Sequence, residues 1–288
     1  MSHDQNFKNL ILDYPHDAVR FFAADEAAEI DNRARIIPIR EEQLKERLGD
    51  RFRELDMPLL VEWPDGRREA LLFVLEEETD TSRFSIHRLA HYCLDLTELF
   101  DTERVVPVAI FLREGKRPEE LSLGGDRHRY LNFRYLACAL PDLSWQDWRN
   151  SDNIVARLNL PNMRYDPSER VAVYALALRG LVTLEPDPEK RLKYVDFVDI
   201  YADLSDAERE QYQRDYPEET KTMQSLTTRM RDEGIQIGEA NMLLLLLEDK
   251  FGPVPAQVRA QIEAADPESL LRWSRRLLKE DSIDEVLR

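Results

Sequence analysis

Three carboxylates, Asp56, Glu76 and Glu78, have the types and the spacing to share a divalent cation. The stretch that holds them reads D-MPLLVEW-PDGR-REALLFVL-EEE, two apolar runs about a turn signal at Pro64-Asp65-Gly66. Runs rich in Val, Leu, Phe and Trp around such a turn are a β-hairpin pattern. Folding about the turn returns Asp56 opposite Glu76, within a residue or two. Glu76 and Glu78 share a face because strand side chains alternate with period two. Two carboxylates about 4 Å apart repel by roughly 4 kcal/mol at an effective dielectric near 20. Either a proton or a cation must relieve that repulsion. Mg²⁺ is commonly held by one or two carboxylates plus water and a substrate phosphate. The competing account of the three consecutive acids is a solvated strand end in an acidic protein.

Other chemistry-bearing residues are weaker signals. His87 and His91 stand one helical turn apart, a spacing that can ligate Zn²⁺, but HRLAH lacks the Glu of HExxH and brings no third ligand. Lining a rim or satisfying local hydrogen bonds is the preferred account of both. Cys93 and Cys138 have no metal-type spacing and read as reduced, packed thiols. Between Arg113 and Arg134, Lys116, Arg117, Arg127 and Arg129 are interrupted by Glu114, Glu119, Glu120 and Asp126. This stretch reads as a solvated loop in preference to a DNA patch.

The elements that must position these groups follow from length and pattern. The chain has 288 residues, 43% hydrophobic and 34% charged, enough for one large domain or two modest ones with a real core. No apolar run approaches a membrane span; the longest, MLLLLL at 242–247, is too short. The polar start MSHDQNFKN does not resemble a signal peptide, so cytoplasm is the expected compartment. A net charge of −17 sets an overall field that repels nucleic acid, since phosphate affinity comes from Lys and Arg. A bound metal offsets that locally.

Taken in order, residues 7–24 have helical apolar spacing broken at Pro15, hence two short helices. Residues 34–39 read as a short strand and 41–48 as a charged helix, followed by the hairpin. Residues 83–100 carry a helical stripe through Ile86, Leu89, Cys93 and Leu96. Residues 105–112 (VVPVAIFL) form a near-continuous apolar run, as for a strand buried on both faces, with Pro107 near its start. Residues 130–140 alternate and read as one further strand. Helix, strand, hairpin, helix, strand, strand is an α/β core with a mixed sheet. From Ser144 onward the pattern is helical. Helices are expected from Asp166-Pro167-Ser168 to Leu184, from Pro188 to about Ala202, and from a capping box at Ser205 and Glu208. A long segment follows from Pro217 to Phe251, ended by Gly252-Pro253, and two or three short helices finish the chain. A soft boundary falls at 215–235.

Several of these pieces, in this order, resemble one known family. FK near the start, RELD–x–LLVE–DG–R–LLFVLEEE, a helix with Arg88 and Tyr92, PVAIF and LNFRY are similar to the Rpn-type recombination-promoting nuclease/putative transposase family. That family belongs to the PD-(D/E)XK phosphodiesterase superfamily. The resemblance covers roughly residues 5–230. The tail, with FGPVP and the segment 270–278, resembles a small helical domain of unknown function appended to such nucleases. The resemblance implies a restriction-endonuclease-like core at 1–145, a helical extension at 146–230 and a C-terminal helical domain at 231–288.

It further implies a divalent-metal-dependent DNA endonuclease, with Mg²⁺ or Mn²⁺ as cofactor and DNA as partner. Asp56 matches the first metal-binding aspartate and Glu76 the second acidic ligand; Lys8 and Arg88 are the candidates for phosphate contact. Two positions depart from the pattern. Glu78 stands where the family usually has Gln and the superfamily Lys, and Asn9 where relatives commonly carry Glu. Glu78 can order a water but cannot supply a cation beside the phosphate. The alternative function is therefore a catalytically degenerate nuclease fold acting in binding or assembly. It would pair copies into a homodimer through the C-terminal helices, with no membrane role.

Overall fold

The computed structural model describes residues 3–28, 30, 33–39, 57–76 and 84–287. The chain divides into two units, 1–216 and 217–288, each taken by itself below. The first unit opens with α1 (His3–Asp13) and α2 (Pro15–Phe22), separated at the expected place. Pro15 occupies the first turn of α2, where its missing N–H is no loss and its fixed φ suits a helix start. Phe7, Leu10 and Ile11 of α1 and Val19 and Phe22 of α2 are all buried, so the two helices share one apolar floor.

The main sheet has the order β1 (Arg35–Pro38), β2 (Met57–Glu62), β3 (Arg68–Glu76), β4 (Val105–Phe111), β7 (Leu136–Ala139). β1, β2 and β3 are an antiparallel meander, while β4 runs parallel to both β3 and β7. The β2–β3 register pairs Glu62 with Arg68 and Met57 with Phe73, confirming a hairpin about Pro64-Asp65-Gly66. Gly66 has φ +85°, a left-handed conformation that glycine adopts without a Cβ penalty. The turn closes with the Gly66 N–H donating to the Trp63 carbonyl at 3.0 Å.

The parallel β3–β4 pair requires a crossover, and α4 (Ile86–Phe100) supplies it. It starts three residues later than the stripe suggests because the Ser85 side chain caps it, accepting from the Arg88 N–H. Leu89, Cys93 and Leu96 of α4 join Ala109 and Phe111 of β4 in one core cluster. Each fully buried Leu or Phe there contributes about 1.5–3 kcal/mol. Val108 to Phe111 are buried, as a central strand requires.

Two expectations need correction. Residues 130–140 do not form one strand: they split at Tyr135 into β6 (Arg129–Arg134) and β7. β6 pairs not with the main sheet but with β5 (Glu120–Gly124), so the supposed solvated loop at 113–134 is in part a two-stranded antiparallel ribbon. β6 is mostly exposed, and the less exposed positions change phase at the break, from Leu131, Phe133 and Tyr135 to Leu136 and Cys138. Tyr135 sits at the break, its ring 5.1 Å from Phe84 and its hydroxyl donating to the Pro118 carbonyl at 2.6 Å. The helix expected at 41–48 lies outside the described residues.

The rest of the first unit is helical: α3 (Ala24–Ala27), which precedes the sheet, and then α5 (Trp145–Trp148), α6 (Ile154–Leu158), α7 (Arg170–Leu184), α8 (Pro188–Ala202) and α9 (Asp206–Asp215). A 3₁₀ turn at Pro167–Glu169 leads into α7, with Asp166 and Glu169 capping it reciprocally. The box at Ser205 and Glu208 opens α9 as expected. In the second unit α10 (Pro217–Phe251) is followed by α11 (Ala256–Glu263), α12 (Pro267–Leu277) and α13 (Ile283–Val286). Leu243, Leu244 and Leu247 of α10 pack with Ile262, Leu270, Trp273 and Val286 in a core of their own. α10 ends at Gly252, φ +84°. No described helix is long and apolar enough to cross a membrane.

Candidate functional site

Three parallel strands, β3, β4 and β7, end at the same edge of the sheet, and open α/β sheets bind ligands beyond the carboxyl ends of such strands. Glu76 is the last residue of β3, and its backbone pairs with Phe111 at the end of β4. α4 runs back from this end, so its first turn, with Arg88 exposed, lies at the edge where Glu76 does. The fold thus brings Glu76 and Arg88 to one end of the sheet. Asp56 and Glu78 lie outside the described residues. Lys8 is half-buried in α1, directly after Phe7, whose ring stands 5.5 Å from that of Tyr201.

A cleft of about 1010 Å³ opens beyond β4. Its walls come from Leu112, Arg113 and Glu114 after β4, the loop carrying Arg164 and Tyr165, Arg170 at the start of α7, and the α8 end at Tyr201 to Asp203. Arg164 is fixed by its own backbone: its N–H donates to the Leu143 carbonyl at 2.8 Å, and its carbonyl accepts from the Trp145 N–H at 3.3 Å. The side chain projects from a rigid support, as a binding residue should. Arg170 lies 3.7 Å from Glu208, with its Nε buried and without a hydrogen-bond partner. Arg113 and Arg164 make no ion pair among the described residues. With Arg170 paired to Glu208, Arg113 and Arg164 stand against Glu114 and Asp203, so this wall is close to neutral in a chain of net charge −17. Guanidinium forks match phosphate and carboxylate geometry, so these two side chains suit an anionic ligand.

Sequence reasoning did not single out Arg164 or Arg170, which flank the capped turn into α7 and are joined by Arg113 only in the folded chain. It also missed a polar knot between α1 and the start of α8. Asp13 accepts from Lys193 Nζ at 2.6 Å and from the Tyr194 hydroxyl at 2.7 Å, and the Tyr14 hydroxyl donates to Glu185. Burial raises the Asp13 carboxyl, but these hydrogen bonds and the charges of Lys193 and Lys190 outweigh it and leave it lowered. Burial, then the hydrogen bond to Glu185, pushes the Tyr14 phenol far up. With every group partnered, the knot is a structural tie.

His87 and His91 both lie on the exposed face of α4. Among the described residues, no group of three or more His, Cys, Asp or Glu could hold a metal ion. Cys93 and Cys138 are free, and burial pushes both thiols up to about 12, as for packed, protonated side chains. Compared with family models, curated proteins and solved structures, the chain matches none.

Proposed function

We propose that the chain is a divalent-metal-dependent DNA endonuclease of the PD-(D/E)XK, recombination-promoting nuclease/putative transposase type. The observation that carries this reading is the shared edge of β3 and β4. There a strand closing on Glu76 and a helix with Arg88 in its first turn follow a three-strand antiparallel meander and a helical crossover, and a cleft lined by arginines opens from the residues after β4. Asp56 and Glu76 are the residues to hold Mg²⁺ or Mn²⁺, a group that polarises a phosphoryl oxygen and acidifies bound water. Glu78 orients the attacking water or accepts its proton, a role that needs a carboxyl raised toward the working pH by crowding with other acids. Arg88 and Lys8 bind the phosphate, and Arg113 and Arg164 extend that contact into the cleft.

The purified chain with Mg²⁺ or Mn²⁺ should nick supercoiled plasmid, and Asp56→Ala should reduce nicking at least about a hundredfold. Nicking by the variant at the wild-type rate would remove Asp56 from the mechanism.

A second reading, an assembly module built on a degenerate nuclease fold, draws on α10. While Leu243, Leu244 and Leu247 are buried, Met242, Leu245 and Leu246 on the other side of the same helix are exposed. A second copy of the chain presenting the same stripe is the partner this reading commits to, in a two-fold arrangement. Light scattering then gives a dimer in wild type and a monomer in Leu245→Glu. A wild-type monomer at all concentrations rules the reading out.

A further inference from the structure

The β5–β6 ribbon holds a cluster that neither the carboxylates nor the cleft uses. Across the ribbon, residues 120–134, stand three arginines, Arg127, Arg129 and Arg134, against two acids, Glu120 and Asp126. That local excess of positive charge contrasts with a chain of −17. The ribbon has a dry base and a wet tip. Leu121 and Phe133 sit opposite each other and pack on the core under α4. At the tip the reversal is tight: a Cβ on Gly124 would lie 2.3 Å from the His128 carbonyl oxygen, so only glycine fits. Residues 124–130 are all exposed, Tyr130 at 80%.

The side chains at the tip are those that engage nucleic acid. Tyr130, Asn132 and Arg134 alternate onto one face of β6, and the His128 ring stands edge-on to Tyr130 at 6.2 Å. Arg127 makes no ion pair among the described residues despite the surplus of acids in the chain. Among the described residues Arg129 and Arg134 reach Glu120 alone, at 4.0 and 3.0 Å, through exposed pairs that hold little energy and can exchange for phosphate. An antiparallel two-stranded ribbon is narrow enough to enter the major groove of B-DNA, about 12 Å wide. Cations interleaved with aromatic and amide side chains provide both phosphate and base-edge contacts.

We propose that the β5–β6 ribbon is a DNA-docking arm that enters a groove of duplex DNA, with Arg127 and Arg129 on the backbone and Tyr130 and Asn132 turned to the bases. The inference deepens the endonuclease reading and rests on it for the choice of DNA as ligand.

The test is fluorescence anisotropy of a labelled duplex with the full chain in EDTA, so that binding is read without cleavage. Removing two phosphate contacts in Arg127→Ala/Arg129→Ala should weaken binding roughly tenfold and flatten the dependence of log K on log salt by about two. Asp126→Asn, which a folding defect cannot mimic, should tighten binding roughly threefold. Equal binding by wild type and the double variant, or no binding by wild type at low salt, overturns the arm. Plasmid nicking with Mg²⁺ separates the two ideas. Ribbon-dependent binding without nicking keeps the arm and ends the endonuclease. Nicking with ribbon-independent binding does the reverse.

Discussion

Glu69 shows how a single charged residue is settled inside this sheet. It is 2% exposed, and its carboxylate receives Arg104 Nε at 2.9 Å and Nη2 at 2.6 Å. The same guanidinium lies 5.9 Å from the centre of the Trp63 ring. Glu69 is buried while the Arg104 side chain is 43% exposed, so removing Arg104 strips a buried carboxylate of a cationic partner, a costly change. Arg104→Ala should therefore lower unfolding free energy by about 3 kcal/mol in urea titration, and Glu69→Gln by less, because it removes the buried charge itself. Nothing in the sequence marked this pair, whose members are 35 positions apart and each look like an ordinary surface charge. By contrast, the placement of Glu76 at the end of a hairpin strand was legible, because alternation and a Pro-Asp-Gly turn are local signals.

At the scale of elements, helix ends were the most legible feature. Pro15, Pro188 and the Ser205–Glu208 box stand where helices begin, since each acts through its own backbone or its neighbours'. The tie between α1 and α8 was not legible, because Asp13 and Lys193 are 180 residues apart. That tie has a pH signature. The Asp13 carboxyl is lower in the folded chain than its ordinary value of 3.8, so its stabilisation is present above that value. It is lost as pH falls through the lowered folded value. Lys193→Ala should cost about 0.5 kcal/mol at neutral pH, a solvent-screened figure for a partly exposed pair. The gap between the variant's and the wild type's melting temperatures should narrow as pH falls below 3.8 and close once the lowered folded value is passed. A gap that stays constant through that fall would show that the Asp13 charge is not what Lys193 serves. The strand misread at 130–140 belongs to this scale too. A ribbon strand and a sheet strand have the same period, and only long-range pairing tells them apart.

For the molecule as a whole, the division at 216/217 assigns separate cores to the two units. The second unit's core is drawn entirely from α10 to α13, with Trp273 Nε1 donating to the Leu287 carbonyl at 3.1 Å and Lys250 Nζ to that of Leu277 at 2.7 Å. A fragment of residues 217–288 should therefore fold alone, with a helical circular-dichroism spectrum and a cooperative thermal transition. A featureless, non-cooperative melt would show that its core needs the first unit. Charge also acts at this scale: with −17 spread over the chain, any polyanion must be met by local concentrations of arginine such as the cleft wall and the ribbon tip.

The sequence by itself determined what local rules control: the break at Pro15, the hairpin about Gly66, the helix–strand–hairpin–helix–strand order, and the helical run after Ser144. Each depends on side-chain period, turn chemistry or caps within a few residues. The tertiary structure alone decided that β6 leaves the sheet for β5, that Arg113, Arg164 and Arg170 share a cleft, and that Arg104 neutralises Glu69. Those outcomes follow from which distant segments bury apolar surface together, and a polar residue's partner is chosen only after that packing is complete.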